Sequence, residues 1–206
     1  MRHALDLMHI EKNVCDNVIC TVLGIAGKTK DDEKARRTYE EQGVRRDQWL
    51  QDGEIPDAPY GVKGHERKEV LEHIRAVKFP SGYAGSLKSK VNPDEKKFLG
   101  LKTHDCHVLM QRIFPLVIRK YVPPHVAEAL TDLGNAFQLL CTREPTKKAL
   151  KKFGEDIVIQ LCKLETIFPP SLCTIMVHLL LHLPDQVMRT GPVHFTWMFP
   201  IERYGP

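Results

Sequence analysis

The sequence holds no apolar run that could cross a bilayer. Its most apolar stretch, residues 177–183, is broken by His178 and His182 and falls far short of the ~20 residues a membrane helix needs. It holds no C-x-x-C pair either. With cysteines at 15, 20, 106, 141, 162 and 173, zinc-ribbon and thioredoxin-type redox readings are excluded, and a reduced, intracellular setting fits. The opening MRHALDLMHIEKN sets charges where a secretory leader would carry unbroken apolar residues, so secretion is not expected. No repeat of fixed period is visible, which argues against a repeat architecture. Net charge is small as well, a formal +4, so only clustering of basic residues can argue for nucleic acid.

What is present is a globular composition. With 42% of residues apolar and 27% charged, the chain can bury a core, unlike a collagen, mucin or low-complexity sequence. Residues 8–25 place Ile10, Val14, Val18, Val22 and Ile25 on one helical stripe, with Gly24 and Gly27 as the stop. Residues 28–57 are charged and nearly stripe-free, which predicts a solvated helix and then a loop ended by Pro56 and Pro59. Residues 66–78 repeat apolar positions at Val70, Leu71, Ile74 and Val77, an amphipathic helix broken at Pro80. The Gly-, Pro-, Ser- and Lys-rich stretch 80–100 is expected to be a mobile connection between an N-terminal helical segment, 1–79, and a helical region, 101–206.

Beyond it the helical signal strengthens. A face of Val108, Leu109, Arg112, Ile113, Leu116 and Val117 runs until Pro123-Pro124 restarts the chain, and a helix over 125–141 follows. Residues 146–167 form a long amphipathic helix with Lys147, Lys148, Lys151 and Lys152 on its outer face. Ser171 is a fair N-cap for a last apolar helix that Pro184 is expected to stop. Only residues 193–201 have strand character, cut short by Pro200. The fold class is therefore mainly α.

Several constellations could carry chemistry, each with a plainer alternative. Asp6, followed by Leu7, Met8 and His9, is either a functional carboxylate or the cap of the first helix. His104 and His107 lie three apart on one helical face with Asp105 and Cys106 between them, a possible soft-metal half-site or simply a helix start. His178 and His182 lie four apart on an apolar helix, where unpaired burial would cost about 1–3 kcal/mol each, so a shared metal or hydrogen-bonded core histidines are the alternatives. Together the two pairs would make a closed tetrahedral zinc site. A zincin would need Glu directly after the first His, and Leu179 stands there. An independent zinc hydrolase also lacks a specified open position and base. Glu202 follows a dense aromatic cluster and is either functional or an exposed acid paired with a neighbouring base. The four lysines at 147–152 could touch phosphates or be an ordinary solvated face.

Three segments carry a resemblance: LDLMHIEKNVCDNV, GLKTHDCHVLMQRIFP, and KLETIFPPSLCTIMVHLLLHLP leading to GPVHFTWMFPIERY. In this order they resemble plant CACTA (En/Spm) transposases and the C-terminal domain of unknown function found with them. The resemblance implies a cut-and-paste DNA transposase with an RNase H-like core, where three acids bind two Mg²⁺ ions roughly 4 Å apart. Asp6 would be the second acid and Glu202 the third. A more distant similarity to the V(D)J recombinase implies a helical zinc-binding insertion between them, with His104, His107, His178 and His182 as ligands and Cys106 as a substitute. No first acid precedes Met1, so the expectation is a polypeptide inactive by itself. It would make weak, non-specific DNA contacts through Lys147, Lys148, Lys151 and Lys152, or act as a protein–protein module binding full-length transposase or itself. The nucleus is the compartment the resemblance implies.

Overall fold

In the computed structural model, which describes residues 5–197, the first apolar stripe becomes α1 (Leu7–Val22). Asp6 starts it: its Oδ1 accepts from the Met8 amide at 3.1 Å, satisfying one of the four N–H groups a helix leaves open. Ile10, Val14, Val18 and Val22 are buried as their spacing predicts, and Cys15 and Ile19 are buried beside them. The helix is thus covered on more than one side, by α4 (Thr103–Val108) and α8 (Ile175–His178). It stops where Gly24 takes a left-handed φ of +54°, and a Cβ there would fall 2.5 Å from the Arg67 guanidinium.

The charged segment is less solvated than its composition predicts. It forms α2 (Glu33–Glu41), capped by Asp32, whose carboxylate accepts from the Ala35 amide at 2.8 Å. Arg36 on this helix is completely buried. Its Nε and Nη2 donate to both oxygens of Asp31 at 2.6 and 2.7 Å, and Nη1 donates to the Gln48 carbonyl at 2.9 Å. Its Nη2 also donates to the Pro56 carbonyl at 3.3 Å, so one guanidinium gathers three segments of the chain, a use for which its planar fork is suited. Arg45 then reaches the far end of α7 (Lys147–Ile167), donating to the carbonyls of Glu165 and Ile167 at 2.8 Å each. These are last-turn carbonyls with no intrahelical partner, where a cation is also favoured by the dipole.

α3 (Glu66–Ala76) buries Val70, Leu71 and Ile74, matching its stripe. The stretch 80–100 is anchored: β1 (Val91–Asn92) pairs antiparallel with β2 (Lys97–Phe98), and Leu87 and Val91 enter the core. That core is one continuous cluster from Leu7 to Val193, so no break falls at the connection. The hairpin is the only sheet among the described residues.

The helix beginning at Thr103 is interrupted. α4 (Thr103–Val108) passes into a π turn, Leu109–Ile113, and then α5 (Phe114–Ile118). Pro115 explains the π turn: it has no N–H to give to the carbonyl four residues back, and its ring would clash there, so the helix widens just before it. α6 (Pro124–Leu140) packs against this turn. Gly134 permits the approach, since a Cβ there would lie 2.8 Å from the Met110 carbonyl oxygen. α7 (Lys147–Ile167) is capped by Thr146, whose hydroxyl accepts from the Ala149 amide at 3.1 Å, and buries Leu150, Phe153, Ile157, Leu161 and Leu164.

The last helical region differs from expectation. α8 (Ile175–His178) begins after Thr174, a 3-10 turn spans Leu179–Leu181, and α9 (Leu183–Thr190) follows. Pro184 opens α9 instead of ending its predecessor, because proline is tolerated in a first helical turn whose N–H groups have no partner. Ser171 caps nothing; its hydroxyl donates to the Lys30 carbonyl. The strand expected at 193–201 is replaced, where described, by a 3-10 turn at Val193–Phe195. The fold is mainly α, and among the described residues no helix is long and apolar enough to cross a membrane.

Candidate functional site

Glu11 is a carboxylate only 1% exposed on the flank of the α1 stripe. Removing such a charge from water is unfavourable unless partners replace the hydration. They come from two other elements. His107 near the end of α4 sets Nδ1 2.8 Å from Glu11 Oε2, and Gln111 in the π turn donates from Nε2 to Glu11 Oε1 at 2.7 Å. The same amide nitrogen lies 3.1 Å from His107 Nδ1 and 3.6 Å from the Sγ of Cys141, the residue that ends α6. Burial first, and then the charge of Glu11, push the Cys141 thiol up to about 12, so at neutral pH it is a protonated thiol.

Glu11, His107 and Cys141 are the one group among the described residues in which three His, Cys, Asp or Glu ligand atoms lie within 4.8 Å of one another. The four-histidine zinc set expected from the sequence is not assembled. His104 is exposed, and its ring stacks on His107 at 6.1 Å between centroids. His178 and His182 do meet, edge to face at 5.2 Å, but both are exposed instead of being buried in the apolar stripe. Their polar rings point to water, so no metal is needed to offset their burial. Cys106, the proposed substitute ligand, is buried away from the cluster and donates to Asp16 Oδ1 at 3.8 Å. Asp105 serves its own helix start, accepting from the Lys102 amide at 2.7 Å and pairing with Lys90.

Asp6 has the capping role already described. The backbone beside it is clamped to α9: Leu5 N donates to Gln186 Oε1 at 2.6 Å, and Gln186 Nε2 donates to Leu5 O at 2.9 Å. Glu202 lies outside the described residues. Lys147, Lys148, Lys151 and Lys152 are all exposed over the first two turns of α7.

Residues 140–205 match the family model described as Domain of unknown function (DUF4218). No curated protein and no solved structure matches the chain.

The DUF4218 match divides the functional candidates unequally. It takes in the lysine face, His178 and His182, and Cys141 near its first residue, while Glu11, His107 and Gln111 lie outside it. Sequence reasoning missed Glu11, Gln111 and Cys141. Glu11 had a signal: it follows Leu7 by four and precedes Val14 by three, which puts an acid on the buried side of an apolar helix. Gln111 follows His107 by four, again on one helical face. Nothing local marks Cys141.

Proposed function

We propose that the chain is a helical part of a CACTA-type cut-and-paste transposase, and that its own contribution is to hold DNA by the phosphate backbone without reading sequence. The observation that carries this reading is the outer face at the start of α7. Lys147, Lys148, Lys151 and Lys152 are exposed there, and none forms an ion pair among the described residues. The helix also has no acid in its first turn. Its open N–H groups and the positive end of its dipole add to the same field, so anions gather at this end. No exposed aromatic stands among the lysines to stack on a base, which leaves affinity without sequence preference.

In this reading the sequence motifs belong to an RNase H-like core and its insertion, with Asp6 and Glu202 as the second and third acids and Mg²⁺ bound by the intact enzyme. The Leu5–Gln186 clamp ties the segment that carries Asp6 to α9. The nucleus is the compartment that accompanies this role.

Fluorescence anisotropy with a random-sequence duplex tests the proposal. Four phosphate contacts give a slope of about −3.6 in log K against log salt, and replacing all four lysines by alanine should abolish it. Binding that keeps its slope in the variant, or no binding at about 50 mM salt, refutes the reading.

A second reading, association with full-length transposase or with another copy, is favoured by exposed Val158 and Ile159 on α7 and Ile175 on α8, at 51%, 60% and 63% exposure. Val158 also lines a cavity of about 210 Å³ with Leu161, Cys162 and Val177. Concentration-dependent sedimentation without DNA retention would select it.

A further inference from the structure

The Glu11 cluster gathers donor atoms of three kinds around one point. Gln111 Nε2 faces Glu11 Oε1 at 2.7 Å, His107 Nδ1 at 3.1 Å and Cys141 Sγ at 3.6 Å. With its proton on Nδ1, His107 donates to Glu11 Oε2 at 2.8 Å, and the two amide hydrogens of Gln111 serve Glu11 Oε1 and Cys141 Sγ. Protons thus bridge a buried carboxylate, an imidazole and a thiol whose ligand atoms all lie within 4.8 Å of one another.

A cation at that point would replace the bridging protons with bonds to the same lone pairs. We infer that Glu11, His107 and Cys141 form a binding site for a divalent ion of the zinc type, with the Gln111 side chain turned to offer its oxygen as a fourth ligand. The donor set is one oxygen, one nitrogen and one sulfur, which suits a borderline-soft ion and is foreign to Mg²⁺ or Ca²⁺. Metal–ligand bonds of 2.0–2.3 Å imply separations of about 3.3–3.6 Å between ligand atoms in a tetrahedron. The three atoms already lie within 4.8 Å of one another, so shifts of side-chain torsions suffice. On binding, Cys141 releases its thiol proton to solvent as the metal–sulfur bond forms, and His107 binds through Nδ1 with its proton on Nε2. The ion would tie α1, the α4–π segment and the end of α6 at one point, a structural role. This site uses only His107 of the histidines that the sequence singled out.

Cobalt titration of the full chain after chelation is the test. A thiolate-to-cobalt charge-transfer band should appear in the near ultraviolet, saturating at one ion per chain, and zinc should abolish it by competition. Because a proton leaves, apparent affinity should rise about tenfold per pH unit while the thiol remains protonated in the free protein. Cys141→Ser should remove the band, Glu11→Gln should weaken binding at least tenfold, and Cys162→Ser should change nothing. The double variant His178→Ala/His182→Ala should bind as tightly as the parent. Absence of the band in the parent protein overturns the inference, and that result stands even if Cys141→Ser does not fold. A band that persists in folded Cys141→Ser, or that the His178→Ala/His182→Ala protein loses, overturns it equally.

Discussion

α1 and α7 are both amphipathic helices with charged residues near their first turns, yet they treat charge in opposite ways. α1 buries ten of its sixteen residues and α7 only five of twenty-one, so a charge on the covered side of α1 has to find a partner inside the protein while a charge on the outer face at the start of α7 meets water. Glu11 accordingly collects a histidine and an amide from α4 and the π turn, and Lys151 and Lys152 have no ion-pair partner among the described residues. The same residue class is an internal structural element in one half of the molecule and a surface field in the other. Coverage by neighbouring elements, more than residue type, decides which.

The largest effect that could break this contrast is expected at Arg36, the other fully buried charge. Arg36→Ala leaves the Asp31 carboxylate, whose side chain is 13% exposed, without its bidentate partner. The loss should be about 3–5 kcal/mol, read as a lower urea midpoint at unchanged m-value. A loss under about 1 kcal/mol would place Arg36 with the exposed charges, which typically contribute that little.

Two glycines sharpen the contrast at smaller amplitude. In Gly134→Ala the new methyl meets the Met110 carbonyl oxygen at 2.8 Å, a backbone atom held by the π turn. The strain should cost about 1–3 kcal/mol, more than alanine's better helix propensity returns. In Gly154→Ala on α7 the nearest atom is Pro184 Cβ at 3.8 Å, ordinary contact. That variant should therefore be more stable than the parent by about 0.5–1 kcal/mol. Thermal melts of the two proteins should shift in opposite directions, and a shift of the same sign in both would remove the packing distinction between α6 and α7.

How far the sequence anticipated these features follows from how local each one is. Periodicity of 3.6 is a local property, so the stripes of α1, α3, α6 and α7 are legible with their ends nearly in place. Proline is ambiguous, because one missing N–H both ends a helix and suits the start of another; Pro184 takes the second role where the first is expected. Partnership across the chain is not legible at all. Arg36 reads as one more basic residue in a solvated run until Gln48 and Pro56 are seen to supply it with carbonyls. Glu11 meets residues 96 and 100 positions away. The His178 and His182 spacing does place both rings on one face, as expected, but spacing carries no information about whether that face is covered.

The smallest expected effect on stability is the one most informative about role. Four lysines at the start of α7 oppose the helix dipole, whose positive end lies there, and no acid in the first turn offsets them. Lys147→Glu and Lys148→Glu should each stabilise the folded protein by about 0.3–1 kcal/mol at low salt, an increment that salt screens. If the face exists to hold phosphates, the same two substitutions should sharply weaken duplex binding and flatten its salt dependence. Stability and binding would then move in opposite directions, as expected where a local arrangement is retained for a ligand at some cost to the fold. Anisotropy and thermal melts on the same samples measure both. Binding unchanged in a stabilised Lys147→Glu/Lys148→Glu protein would make α7 an ordinary solvated helix, and the exposed surface at Val158, Ile159 and Ile175 would become the better place to seek a partner.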